Sequence, residues 1–159
     1  MRKILIGISG KECSARAVEF IGKQVRTGDD LEITFAHVLP NLPAIFWDEG
    51  HILSDAEKQE RKKVVDTWVA KQRGMIEPVM RAAVERLAAA GVKPDRMRTK
   101  FISDSTDVAD SLLETARDEG MDVIVVNRCA DTGSKAEPAG SVATKLLQKG
   151  SGVALCFVD

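Results

Sequence analysis

Short continuous apolar runs alternate along this chain with stretches of helical periodicity. Ile4-Leu5-Ile6-Gly7-Ile8 is the first run and fits a strand covered on both faces. After a turn at Ser9-Gly10-Lys11-Glu12-Cys13, Ser14 is placed to cap a helix whose apolar positions are Ala17, Val18, Ile21 and Val25. Leu31-Glu32-Ile33-Thr34-Phe35-Ala36-His37-Val38-Leu39 reads as a second strand, stopped by Pro40. Residues 41–53 then form a loop that carries Pro43, Phe46, Trp47 and Gly50. Phe46 and Trp47 read either as a lid over a crevice or as a cover for the core. Ser54 and Glu57 make an S-x-x-E capping box at the start of a long helix. Val65, Trp68, Val69, Gln72, Met75, Ile76, Val79, Met80, Ala83 and Leu87 mark its expected buried stripe. Gly74 and Pro78 interrupt the helix, and a kink rather than a break is expected because the apolar phase continues past them.

Residues 97–102 form a more polar strand, expected at a sheet edge, followed by a polar loop rich in possible caps. Val108, Leu112, Leu113 and Ala116 mark the next helix, and Val123-Ile124-Val125-Val126 is a buried strand. Val142, Leu146 and Leu147 mark the last helix. Gly150-Ser151-Gly152 then turns the chain into Val153-Ala154-Leu155-Cys156-Phe157-Val158. The order β-α-β-α-β-α-β-α-β predicts an α/β fold: a single domain over residues 1–159, with an open, five-stranded parallel sheet of Rossmann-like type and helices on both faces. In such sheets ligands bind where strands end and helices begin. Residues 122–141, a buried strand running through a loop to the helix opened by Gly140-Ser141, are therefore the first place to look for chemistry.

Charge and composition narrow the classes. With 23 Lys and Arg against 24 Asp and Glu, the net charge of -1 offers no electrostatic footprint for nucleic acid or a membrane surface. No apolar run approaches the roughly 20 residues of a membrane span, and Met1-Arg2-Lys3 with the apolar run after it is too short for a signal peptide. Three cysteines without close spacing argue against a disulfide framework, so a cytoplasmic location is expected.

The segments KILIGISG, AHVLP, SLLETARDEGMDVIVV and GSVATKLLQKGSGVALCFV resemble the universal stress protein family over nearly the whole length. The resemblance implies adjacent first and fourth strands, a homodimer through the last strand (residues 153–158, from Val153 to Val158), and two branches, one that binds ATP or a related adenine nucleotide and one that does not. The binding branch carries an acidic residue at the end of the first strand and the pattern G-x2-G-x9-G-[ST] after the fourth. Here Gly140 and Ser141 keep the last pair, Asn127 and Ala130 stand at the two earlier glycines, and Ser9 follows Gly7 at the acidic position. Val38 falls where the family's second strand meets adenine through its backbone.

Glycine suits a phosphate loop because it tolerates positive φ and lets the backbone approach a phosphate. Asn127 is the mildest replacement, whereas Ala130 costs roughly 1 kcal/mol if its φ is positive. Ser9 lacks the charge-assisted bond of a carboxylate, about 1.5–3 kcal/mol or roughly 10- to 150-fold in affinity. Asp131 and Glu137 would repel a triphosphate, while Arg128, Gly133, Ser134 and Lys135 would favour it. The sum points to a regulatory binding module with weak or absent ATP binding, acting through dimerisation and an unidentified protein partner. The alternative is a sensor of ATP or AMP, with Mg2+, that uses the retained Gly140-Ser141 helix start.

No catalytic constellation is read. Ser9 has no His-Asp partnership, GISGKE is not the nucleophile elbow, and Gly133-Ser134-Lys135 is not a Walker loop. A slow ATPase would need a base and a metal ligand, for which Asp131 alone offers itself. His37 reads as a hydrogen-bonded structural histidine and His51 as solvated, and the pattern offers no zinc site. Cys13 and Cys129 fall at the ends of strands that the family pairs, either as a redox pair or as packed thiols, and Cys156 as a core residue.

Overall fold

The computed structural model describes residues 1–10, 14–26, 30–42, 53–103, 105, 107–128, 141–150 and 152–159. Phe46, Trp47, His51, Cys13 and Cys129 lie outside them, and with them the lid and redox-pair readings. The elements follow the predicted alternation: β1 Arg2–Gly7, α1 Ser14–Gln24, β2 Leu31–Val38, α2 Asp55–Ala89, β3 Met97–Ile102, α3 Val108–Asp118, β4 Val123–Asn127, α4 Ser141–Lys149 and β5 Ala154–Val158. The strands run in the order β3-β2-β1-β4-β5 and every neighbouring pair is parallel. β1 therefore lies at the centre with β4 beside it, Ile4 to Ile6 in register with Val123 to Val125.

Alternation along β1 divides the core into two layers. Ile4, Ile6 and Ile8 face α1 and α2, where they meet Val18, Ile21, Met80 and Leu87. Leu5 faces the other way, toward Leu112 and Leu113 of α3 and Leu146 of α4. Period-two alternation with both faces apolar is what a doubly covered parallel sheet requires, and it explains why these strands read as unbroken apolar runs.

The capping box of α2 forms as expected. The Ser54 N–H donates to Glu57 Oε2 at 2.8 Å, and the Glu57 N–H donates to Ser54 Oγ at 3.4 Å. The helix then continues unbroken through Gly74 and Pro78 for 35 residues. At 1.5 Å per residue it is about 52 Å long, against about 26 Å for the eight-residue β2. The expected stripe is buried only where sheet lies beneath it, at Ile76, Met80, Ala83 and Leu87. Val65, Trp68, Val69 and Gln72 are half-buried because the first half of the helix overruns the sheet, while in the second half Val79 is half-buried and Met75 is 53% exposed because each stands off the buried face.

Two shorter helices also depart from expectation. Val108 and Leu147 are exposed, and the buried stripes run instead through Ala109, Leu112, Leu113 and Ala116 on α3 and through Ala143 and Leu146 on α4. Each residue advances the helix by about 100°, so Val108, at the first position, is carried off the face that its later neighbours share. Asp107 caps α3, accepting from the Ala109 N–H at 2.9 Å and the Asp110 N–H at 3.1 Å. Lys145 of α4 pairs with the same carboxylate and Lys149 pairs with Asp110 at 2.8 Å, which fastens α4 to the start of α3. Lys145, and then the backbone N–H groups, hold the Asp107 carboxyl below its ordinary range.

Leu87 is fully buried, so Leu87→Ala is expected to cost about 2–5 kcal/mol in chemical denaturation. Met75→Ala, at an exposed position of the same helix, should change stability by less than about 0.5 kcal/mol. The lowered pKa of Asp107 means that its stabilisation is present above the ordinary carboxylate pKa and is lost as pH falls through its lower value in the folded protein. Acid titration of stability should therefore be shallower for Asp107→Asn than for the native chain.

Candidate functional site

β1 and β4 are neighbours, yet the helices that follow them leave for opposite faces, α1 to one layer and α4 to the other. That divergence is the topological switch point of the sheet, and it opens a crevice at the carboxyl ends of both strands. Gly7 lines its floor. A Cβ at this position would stand 3.0 Å from Val126 Cγ1 and 3.4 Å from Leu112 Cδ1, so the Val126 side chain would have to give by a few tenths of an ångström to admit one. The ladder continues one residue beyond β1, the Ile8 N–H donating to the Ala36 carbonyl at 2.8 Å. Buried His37 closes the other side of that residue: its Nδ1 lies 2.7 Å from the Ile8 carbonyl, an acceptor, which places the proton on Nδ1. This is the structural histidine expected from the sequence, with its ring edge-on to Phe101 at 6.3 Å.

The side chains at the crevice are bonded to one another. Ser14, 2% exposed, is the first residue of α1 rather than its cap. Its hydroxyl lies 2.7 Å from Ser9 Oγ, donates to the Ser9 carbonyl at 2.7 Å and accepts from the Ser9 N–H at 2.9 Å. The first turn of α1 is held from across the sheet, where Asn127 Oδ1 accepts from the Ala17 N–H at 2.9 Å. The other half of that amide, Nδ2, is buried without a partner among the described residues. An unpaired buried donor costs roughly 1–3 kcal/mol. Arg128, next in the chain, makes a two-pronged pair with Asp159 at 2.7 and 2.8 Å. Asp159 raises the guanidinium's pKa and is itself held low by it. That pairing turns Arg128 to the end of β5, so the expected pull of Arg128 on a triphosphate is opposed by a carboxylate already in place.

Ser9 and Asn127 are thus both bonded to α1, while Gly7, at the end of β1, faces Val126 and Leu112. Val38 lies at the end of β2, opposite Ile102, with its side chain packed against the α3 and α4 layer. Ser141 opens α4. Ala130 and Gly140 lie outside the described residues, as do Asp131, Gly133, Ser134, Lys135 and Glu137. Among the described residues no cluster of His, Cys, Asp or Glu could hold a metal, and no helix is long and apolar enough to cross a membrane. Cys156 is half-buried on β5, and burial pushes its thiol pKa up. Sequence reading missed Ser14 and Ala17 as members of the site. No periodicity marks either role, because each depends on a partner brought in by the fold.

The model of the universal stress protein family matches residues 1–152. Among solved structures, the hypothetical protein MJ0577 superposes with a TM-score of 0.69 at 19% identity, covering 99% of this chain and 94% of that one. The universal stress protein from Archaeoglobus fulgidus in complex with dAMP gives 0.59 at 15% identity, covering 100% and 98%. A family protein from Arabidopsis thaliana with AMP bound gives 0.61 at 13% identity, covering 99% and 91%. No curated protein sequence matches.

Removing the acceptor that holds α1 should be measurable. Asn127→Ala is expected to lose about 1 kcal/mol, the typical worth of such a contact at a helix start. Asn127→Asp keeps an acceptor, drops the unpaired donor and adds charge favoured by the helix dipole. Thermal melts should rank Asp at or above the native chain and Ala below it. An Asp variant less stable than the Ala variant would contradict this account of the contact.

Proposed function

The chain belongs to the universal stress protein family, and we propose that it acts as a cytoplasmic regulatory binding module, homodimeric, whose crevice holds ATP weakly or not at all. The observation that carries this reading is the internal bonding of the crevice. At the two described positions where the resemblance expects a carboxylate and a glycine, Ser9 is bonded to Ser14 and Asn127 to the backbone of α1. A nucleotide entering there must replace bonds that the protein already makes, and the replacement gains only the difference. Gly7, Val38, Ala130, Gly140 and Ser141 complete the crevice by resemblance. With its polar groups engaged internally, function passes to dimerisation and a protein partner.

Dimerisation is proposed through β5. Among the described residues it pairs with β4 on one side only, and an uncovered strand edge presents N–H and C=O groups that another strand can satisfy. A second reading, an AMP or ATP sensor with Mg2+, draws on the relatives bound to dAMP and AMP and on α4, which begins at Ser141 and turns its positive end toward the crevice.

Calorimetric titration separates the two. For the regulatory reading we expect no ATP binding up to about millimolar concentration, with Mg2+ present. Asn127→Gly, which frees the start of α1, should then bind roughly tenfold tighter or better, about 1.4 kcal/mol. Micromolar binding of ATP or AMP by the native chain would favour the sensor. Light scattering at micromolar concentration should give twice the 17.3 kDa chain mass, and a monomer would count against the β5 dimer.

A further inference from the structure

The edge of the sheet opposite β5 carries a groove that the crevice does not use. Thr99, Phe101 and Ser103 repeat every second residue on one face of β3 and its continuation, and they form one wall. Arg73, Glu77 and Arg81 repeat every fourth residue on α2 and form the other. Buried Leu39 and Met80 line the space between, which measures about 490 Å³.

Three features of this groove point to one kind of occupant. First, β3 pairs only with β2, and among the described residues no backbone hydrogen bond leaves its outer edge. In a parallel strand alternate residues direct N–H and C=O outward, a template for a further strand. Second, positive charge predominates among the described residues of the groove, two arginines against one glutamate. Arg73 lies 4.7 Å from the centroid of the Phe101 ring, and among the described residues neither Arg73 nor Arg81 has a carboxylate partner. Glu77 is the one acid among the described lining residues. On the opposite face of β3, by contrast, Arg98 and Lys100 are paired with Glu32 and Glu119. Third, the spacings match. Eight helical residues separate Arg73 from Arg81 by about 12 Å, and four strand residues span about 13 Å.

We propose that this groove takes an extended peptide segment of a partner protein, which adds to the sheet as a sixth strand beside β3. Its acidic side chains stand four residues apart, facing Arg73 and Arg81. The residue midway between them is apolar, because it meets Glu77, Met80 and Phe101, where an acid would be repelled. Backbone pairing supplies affinity, and the alternate side chains supply specificity. The inference goes beyond the crevice reading and stands whether or not a nucleotide binds.

The test is selection from a randomised heptapeptide library on the full chain, followed by anisotropy and amide hydrogen exchange with the best binder. Enriched peptides should carry Asp or Glu four apart with an apolar residue between. Saturation should slow exchange at outward-facing amides of β3 and leave β5 unchanged. Arg81→Glu, on an exposed helix position, should weaken binding about tenfold or more, and Arg73→Glu with Arg81→Glu should shift the selected residues to Lys and Arg. The proposal is overturned by enrichment without that spacing, by affinity unchanged in folded Arg81→Glu protein, or by protection at β5 instead. It is equally overturned if the β3 edge is already protected in the free protein, by the chain's own residues or by a second copy.

Discussion

The parallel pairing of β1 with β4 is the constraint on which the rest of this protein depends. It joins two strands whose sequence positions differ by 119, Ile4 beside Val123, and nothing local favours it. The other strands extend outward from this pair, β2 and β3 from the far side of β1 and β5 from the far side of β4. A Cβ at Gly7 would stand 3.0 Å from Val126 Cγ1, so the two strands pack closely there. The crevice is a by-product of the same contact, because the helices leaving these two strands must diverge.

How that crevice is used follows from where its polar groups find partners. A helix start has more N–H groups than its own turns can satisfy, and either a ligand or the protein can supply the acceptor. In this chain Asn127 reaches across from β4 to supply one, and Ser14 folds back on Ser9. Both arrangements compete with a bound anion for the same donors. Among the described residues the amide nitrogen of Asn127 has no partner, which marks this side chain as a point where a single substitution shifts the balance.

The two edges of the sheet differ in what lies over them. Beyond β5 the strand is followed by Asp159, held to Arg128. Beside β3 stands a helix about twice the height of the sheet, with two arginines that have no carboxylate partner among the described residues. Length alone creates that difference, since a helix longer than the strands it covers must present part of its surface to something other than its own sheet.

The sequence by itself determined the alternation of strands and helices, the covering of the sheet on both faces, the edge position of residues 97–102 and the capping box at Ser54, because each is written in local periodicity or in residues three apart. It also carried the family resemblance and the substitutions at positions 9, 127 and 130. Tertiary structure alone decided which half of α2 is buried, because amphipathic periodicity records a face but not the extent of sheet beneath it. It alone decided that Val108 and Leu147 face outward, since an apolar residue one step off the stripe looks the same in sequence. And it alone decided the partners of Ser9, Asn127 and Arg128, each a hydrogen bond or ion pair whose two ends meet only after the chain has closed over 5, 110 and 31 residues.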